Sequence, residues 1–183
     1  MAHKSQQDFF LSMKEKFPQF FNSKIVLDVG SYDVNGNNRG LFDNCIYTGI
    51  DVGPGKNVDL VTTAHEHRVS DGFYEVIVSS SCLEHDQYYE KTLQAIVRML
   101  APGGFFFFSC AGEGYPEHGT RRTSPQDAPL LAAHGDWADY YKNLTEADVR
   151  ACIDVDGVFG EYGFIFNKMP GDWNDLFFYG VKK

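Results

Sequence analysis

The length, composition and charge of the chain are those of an ordinary folded domain. It has 183 residues, of which 43% are hydrophobic and 22% charged, and these proportions exclude a disordered or fibrous chain. The 25 acidic side chains outnumber the 16 basic ones, which gives a net charge of −9. Extended binding to nucleic acid is therefore not expected, because it depends on clustered Lys and Arg.

Cysteine spacing and hydropathy indicate the environment of the protein. The four cysteines are far apart and form no CxxC pair, which favours reduced thiols and a cytoplasmic location over a disulfide framework. No signal peptide is visible near the first residue, and the most apolar run, at 105–108, is only strand-sized. We expect a single domain over 1–183 with no membrane contact.

Apolar residues in the first half of the chain follow helical and then strand-like patterns. Apolar residues recur at three- to four-residue spacing and predict an amphipathic helix within 1–22 that Pro18 ends; they are Phe9, Phe10, Met13, Phe17 and Phe20/Phe21. Short apolar runs then alternate with turn residues, which is typical of buried parallel strands. A second helix is predicted up to residue 100, before Pro102. The predicted strands cover 24–28, 45–50, 58–61, 74–79, 104–109, 158–166 and 176–181.

The later part of the chain contains a long variable segment before the last elements. Residues 111–143 are rich in Gly, Pro, Arg and His and predict a loop with a short helix near 126–133. Thr145 and Asp148 have the spacing of a capping box and predict the start of another helix. Strands that alternate with helices favour an α/β sheet covered on both faces, closed by an antiparallel hairpin.

Acidic residues and glycines mark the ends of the first two predicted strands. The first strand ends near Asp28 and Gly30, and Gly36 follows where the next helix should begin. The second strand ends in Asp51. Ligands of open α/β sheets bind outside the carboxyl ends of the strands, where a carboxylate can accept hydrogen bonds from ribose hydroxyls. The sequence therefore predicts a nucleoside-binding crevice at these strand ends.

The glycine pattern after the first strand distinguishes between possible ligands. The second and third glycines of GxGxxG are missing after Gly30, so a dinucleotide with a pyrophosphate is disfavoured. A ribose-bearing ligand with a cationic amino acid end suits a wide turn with an acidic residue before it. S-adenosylmethionine (SAM) meets both conditions.

Five sequence pieces in order resemble one known family. They are 26–31 (VLDVGS), 49–52 (GIDV), 58–64 (VDLVTTA), 73–85 (FYEVIVSSSCLEH) and 98–104 (RMLAPGG), and 175–181 (DLFFYGV) resembles the last strand of the same family. The chain resembles class I SAM-dependent methyltransferases of the small methyltransferase-domain type. That resemblance implies a Rossmann-like, doubly wound, mainly parallel seven-stranded sheet with an antiparallel last strand.

The resemblance also implies which residues hold the cofactor. Asp51 would bind the ribose, Val52 would pack on the adenine, and the backbone near Ser79 and Ser80 would pass the methionine portion. Thr63 stands where the family usually has an acidic residue, and Tyr32 stands at the usual second glycine. The implied cofactor-binding residues are Asp28, Gly30, Ser31, Asp51, Val52, Thr63, Ala64, Ser79 and Ser80.

Catalytic groups are expected where the crevice opens, after the fourth and fifth strands. His85, Glu113 and His118 are the candidate bases, and Arg121 with Arg122 could clamp an anionic acceptor. A zinc site of His65, His67, Cys82 and His85 has awkward spacing, so no metal is expected.

The expected activity is methyl transfer from SAM to a small-molecule or sugar-type acceptor, in a possible homodimer. Two alternatives stay open. One is a nicotinamide-dependent oxidoreductase of Rossmann type, and the other is a catalytically inactive nucleoside-binding or scaffold protein.

Overall fold

A seven-stranded mixed sheet forms the centre of the protein, for which the computed structural model describes residues 4–167 and 174–183. The strand order is β3-β2-β1-β4-β5-β7-β6. Strand β7 runs antiparallel to both β5 and β6, whereas the pairs among β1 to β5 are parallel. The predicted α/β sheet and its antiparallel hairpin are thereby confirmed. The strands are β1 (Ile25–Val29), β2 (Ile46–Asp51), β3 (Leu60–Val61), β4 (Tyr74–Ser80), β5 (Leu100–Ala111), β6 (Phe159–Phe166) and β7 (Asp175–Lys182).

Four consecutive phenylalanines on β5 contribute side chains to both faces of the sheet. Successive side chains of a strand point to opposite faces, so Phe106 and Phe108 belong to one hydrophobic cluster and Phe105 and Phe107 to the other. All four are fully buried. The apolar run therefore specifies a strand that is covered on both sides.

Helices cover both faces, as predicted. Helix α1 (Lys4–Lys16) buries Phe9, Phe10 and Met13 on the face that contains Phe107, and a 3-10 turn follows at Pro18. The helices α2 (Tyr89–Met99), α3 (Glu146–Cys152) and α4 (Val155–Val158) lie on the other face. Within the described residues, no helix combines the length and the apolar character needed to cross a bilayer.

The helix predicted to begin near Gly36 does not form. Only a 3-10 turn, Arg39–Leu41, stands between β1 and β2. Asp33 accepts hydrogen bonds from the backbone N–H of Gly36 (2.7 Å) and from the amide of Asn37 (2.8 Å). Such local bonds compete with helix formation, and Asn and Gly have low helix propensity. This connection is therefore a compact loop.

The segment before α3 is also less regular than expected. Three 3-10 helices, Pro125–Asp127, Pro129–Ala133 and Gly135–Asp139, replace the single helix predicted near 126–133. Two prolines lack the backbone donor that a continuous helix needs. The capping box is confirmed, since Thr145 accepts from the Asp148 backbone and the Asp148 carboxylate accepts from the Thr145 backbone.

Candidate functional site

A cavity of about 510 Å³ opens at the carboxyl ends of β1, β2 and β4. This volume lies within the range of roughly 300–1,000 Å³ that is usual for small-molecule and cofactor sites. The loop between β5 and α3 forms the opposite wall. Strand ends and loop thus enclose the place where α/β sheets bind ligands. Its wall includes Gly30, Tyr32, Asp51, Val52, Thr63, Ala64, Ser80, Cys82, His85, Tyr115, His118, Leu130, Leu131 and Trp137.

Gly30 shapes the floor of this cavity. Its φ angle is +77°, and a Cβ at this position would lie 2.4 Å from Cβ of Cys82 and 2.5 Å from its Sγ. Only glycine accommodates both the left-handed backbone and this close approach. The turn after β1 therefore sits directly against the loop after β4.

Asp51 lies at the end of β2, on the rim of the cavity. Its carboxylate accepts hydrogen bonds from the backbone N–H groups of Tyr32 (2.9 Å) and Val52 (2.8 Å). Burial raises the pKa of Asp51, while these two hydrogen bonds act in the opposite direction. The carboxylate thus joins the loop after β1 to the loop after β2 and borders the space where a ligand fits.

Asp28 lies below the cavity and does not line it, in contrast to its expected place among the cofactor-binding residues. It is 1% exposed. The Tyr47 hydroxyl and the Asn38 amide each donate a hydrogen bond to its carboxyl group. Burial raises the pKa of Asp28 to about 6, although both hydrogen bonds lower it. These partners hold the side chain beneath the first turn.

Ser31 and Ser79 are also placed away from the cavity wall. The Ser31 hydroxyl donates to the carbonyl of Asn57 (3.0 Å), and the Ser79 hydroxyl donates to the carbonyl of Val29 (2.8 Å). Both hydroxyl groups thus donate to backbone carbonyls of the protein itself. The other expected cofactor-binding residues, Gly30, Asp51, Val52, Thr63, Ala64 and Ser80, do line the cavity.

The rings of His85 and His118 line the end of the cavity nearest the loop after β5, and the Tyr141 ring packs beside them. His85 and His118 pack edge to face with ring centroids 4.8 Å apart. The Tyr141 ring lies 5.5 Å from that of His85 and 5.1 Å from that of His118. Burial, followed by the neighbouring His118, lowers the pKa of His85 to about 3. The His85 ring is therefore neutral and a weak base.

Glu113 is not part of this cavity, in contrast to the expectation for a base. It is exposed and borders a separate, smaller cavity together with Thr145 and Phe164. The chain turns beyond the end of β5 through Gly112 and Gly114, of which Gly114 has a φ angle of +84°. That turn carries Glu113 toward β6, away from the histidines.

The arginine pair is engaged within its own loop. Arg121 forms an ion pair with Asp139 at 2.5 Å, and Arg122 forms one with Glu117 at 2.9 Å. Neither arginine lines the cavity, so the clamp that this pair could form on an acceptor is replaced by contacts that fasten the loop. Sequence reasoning missed Tyr115, Leu131 and Trp137 as wall residues. Their only signal was the concentration of aromatic and apolar residues inside a Gly- and Pro-rich segment.

The sheet order and the cavity at the strand ends define the fold of class I SAM-dependent methyltransferases. A family model described as "Methyltransferase domain" matches residues 1–145. The chain belongs to this methyltransferase family. No curated protein matches the sequence.

Solved methyltransferase structures share this fold at low sequence identity. The Burkholderia thailandensis 1,6-didemethyltoxoflavin N1-methyltransferase, solved with S-adenosylhomocysteine (SAH), has a TM-score of 0.64 and 13% identity, covering 97% of this chain and 78% of that one. Haemonchus contortus phosphoethanolamine N-methyltransferase 2, in complex with SAM, has a TM-score of 0.65 and 15% identity, and the match covers 96% of this chain and 52% of that one. The N-methyltransferase NodS from Bradyrhizobium japonicum WM9, in complex with SAH, has a TM-score of 0.60 and 15% identity, and the match covers 96% of this chain and 86% of that one. The present chain thus spans about half of the Haemonchus protein.

Proposed function

We propose that the protein binds SAM in the cavity at the strand ends and transfers its methyl group to a small-molecule or sugar-type acceptor. The observation that carries this proposal is the position of Asp51. Its half-buried carboxylate stands at the tip of β2, on the rim of the cavity and next to the Gly30 turn. A carboxylate at this place is suited to accept hydrogen bonds from ribose hydroxyls.

The donor set of the cavity fits a ligand with an apolar ring system and a cationic end. Val52, Leu130 and Leu131 supply apolar wall next to Asp51. At the floor, burial raises the pKa of the Cys82 thiol well above its usual value, and the carboxylates of Asp86 and Asp51 raise it further. The same negative potential favours a sulfonium and an ammonium group.

Methyl transfer makes modest chemical demands on the protein. SAM, when bound, supplies a methyl group that its sulfonium has already activated. The chain must then hold the acceptor in line with that methyl group, and positioning alone can supply much of the acceleration. The roles of His85 and His118 as bases stay predictions, and the presence of both rings in the cavity wall supports a place near the acceptor.

The segment 111–143 is assigned to the acceptor side of a single domain. Tyr115, His118, Leu131 and Trp137 from this segment face the cavity, and the arginine ion pairs fasten it. A covered space with aromatic walls suits a small acceptor. Two structural neighbours, named for toxoflavin and phosphoethanolamine methylation, support this class of acceptor. The cytoplasmic location and the homodimer stay predictions.

Isothermal titration of the full chain with SAH, SAM and NAD tests the proposal. We expect binding of SAH and SAM and none of NAD, and SAH formation when SAM is combined with a panel of small hydroxyl and amine acceptors. Binding of NAD alone would overturn the proposal in favour of a dinucleotide enzyme. Binding of SAH with no turnover on any acceptor would limit the conclusion to a cofactor-binding protein.

A further inference from the structure

Three side chains with metal-binding atoms meet at the acceptor end of the cavity. Glu84 and His85 follow β4, and His118 comes from the loop after β5. One oxygen or ring nitrogen from each of the three lies within 4.8 Å of those of the other two. Glu84 is 1% exposed and His85 is 6% exposed. Two segments that are distant in sequence therefore bring potential ligands to one buried point.

Three of the polar atoms at this point lack hydrogen-bond partners. Oε2 of Glu84 and both ring nitrogens of His85 are buried with no partner. Buried polar atoms in folded proteins almost always have one, and a bound ion is among the explanations for an exception. The unpaired atoms of Glu84 and His85 therefore point to a ligand-binding site.

The third residue, His118, is oriented in a manner that suits metal binding. Its Nδ1 lies 3.2 Å from the carbonyl oxygen of Pro116. With the proton on Nδ1 donated to that carbonyl, Nε2 keeps its lone pair. Metal-binding histidines usually hold their second nitrogen in this way, which fixes both tautomer and ring orientation.

Gly119 allows the His118 loop to approach His85. Its φ angle is +68°, and a Cβ there would lie 2.6 Å from Cε1 of His85. A side chain at this position would push the loop away from the histidine ring. The contact between the two histidines thus depends on a glycine in a left-handed conformation.

We propose that Glu84, His85 and His118 bind a divalent first-row transition metal such as Zn²⁺ or Co²⁺. Two imidazoles and one carboxylate suit these ions, whereas Mg²⁺ and Ca²⁺ prefer oxygen ligands. His85 and His118 line the cavity, so the ion faces the space for the acceptor. Three protein ligands with an open position are typical of catalytic zinc sites. This site differs from the zinc site considered from sequence, since His67 instead contacts the Tyr74 hydroxyl at 2.8 Å.

The catalytic role of the metal rests on the proposed methyl transfer, whereas the binding of the metal to these three residues does not depend on it. An acceptor hydroxyl on the metal loses its proton to solvent more readily, because the cation stabilises the oxyanion. The acceptor oxygen then forms a bond to the methyl carbon. The carbon–sulfur bond breaks, and its electron pair remains on sulfur in SAH. The acceptor class is therefore a small molecule with a hydroxyl group, and the reaction is O-methylation.

Titration of the full chain with CoCl₂ and ZnCl₂, after treatment with EDTA and its removal, tests the site. We expect one ion per chain, with visible ligand-field absorption for Co²⁺, and much weaker binding of MgCl₂. His118→Ala should weaken Zn²⁺ binding by more than the ~10–100-fold that loss of an outer partner costs. Glu84→Gln keeps the shape of the side chain and should also weaken binding. The control is His134→Ala, an exposed histidine outside the cluster, which should bind as the wild type does.

Equal Zn²⁺ affinity of the wild type and His118→Ala, with both folded by circular dichroism, would overturn the metal site. So would the absence of Co²⁺ absorption. SAH titration in the presence of EDTA separates this failure from that of the proposed function. SAH binding without His118-dependent metal binding overturns the site alone, whereas the converse result leaves the metal site standing and overturns the function.

Discussion

The backbone N–H of Tyr32 donates a hydrogen bond of 2.9 Å to the carboxylate of Asp51. One side chain at the tip of β2 thereby fixes the loop that follows β1. The same carboxylate accepts from Val52 at 2.8 Å and borders the cavity. The residue that we assign to the ribose is thus also the residue that sets the shape of the cofactor loop.

Replacing Asp51 by Asn should weaken SAH binding while keeping an acceptor oxygen for one loop. Hydrogen bonds to a charged group contribute about 1.5–3 kcal/mol, so we expect a loss of affinity of about 10- to 100-fold. Calorimetric titration measures it. The control is Asp71→Asn, an exposed carboxylate paired with Arg98 away from the cavity. Equal SAH affinity of wild type and Asp51→Asn would remove Asp51 from the site.

Gly55→Ala should weaken SAH binding without unfolding the protein. A Cβ at Gly55 would lie 2.2 Å from Cε2 of Tyr32, so the tyrosine ring must move from the cavity wall. If SAH binding requires the ring to return to the wall in an unfavourable rotamer, that return costs about 1 kcal/mol. We therefore expect about fivefold weaker binding of SAH. Gly40→Ala is the matched control, because no atom lies within 4 Å of its added Cβ. Similar affinities for the two variants would contradict a role for Tyr32 in the wall.

Strand positions and strand-end carboxylates could be predicted from sequence because both depend on local patterns. The continuous apolar run Phe105–Phe108 and the charge at Asp51 can both be recognised in the sequence itself. The orientation of Asp28 could not be predicted, because it depends on Asn38 and Tyr47, ten and 19 residues away in sequence. Long-range hydrogen bonds of this kind leave no periodic signal.

The loop residues illustrate the same limit. The proximity of His85 and His118 depends on the path of a segment of 3-10 turns, for which no periodicity exists. Glu113 was expected beside them only because it also follows β5. The turn through Gly112 and Gly114 separates its side chain from the histidines. Sequence order placed these residues on the correct side of the sheet but could not distinguish the two cavities there.

Removal of the Phe10 ring should strongly destabilise the fold. Phe10 projects from α1 onto the sheet and is fully buried, and its ring centroid lies 5.5 Å from that of Phe107. Replacing a buried Phe by Ala costs about 3–5 kcal/mol of unfolding free energy. Leu11→Ala, on the same helix but 51% exposed, should change it by less than about 0.5 kcal/mol. Urea unfolding measures both, and equal effects would contradict the packing of α1 on the sheet.

Asp28→Asn should change how the stability depends on pH. The pKa of Asp28 is raised by burial from 3.8 to about 6 in the folded protein. A carboxyl group whose folded pKa is raised binds its proton more tightly when folded. Its favourable contribution is therefore complete below pH 3.8 and is lost as the pH rises through 6.

Asn cannot titrate, and its amide can donate to the Tyr47 hydroxyl while its oxygen accepts from Asn38. Relative to Asp28→Asn, the wild type should thus lose about 2.4 kcal/mol of unfolding free energy between pH 4 and pH 7, which is most of the ~3 kcal/mol that the whole shift represents at 1.36 kcal/mol per pKa unit. Urea unfolding of both proteins at the two pH values measures this change, and the titration of all other groups cancels in the difference. A difference that stays constant with pH would contradict the raised pKa and would show that the hydrogen bonds from Tyr47 and Asn38 offset the cost of burying the charge.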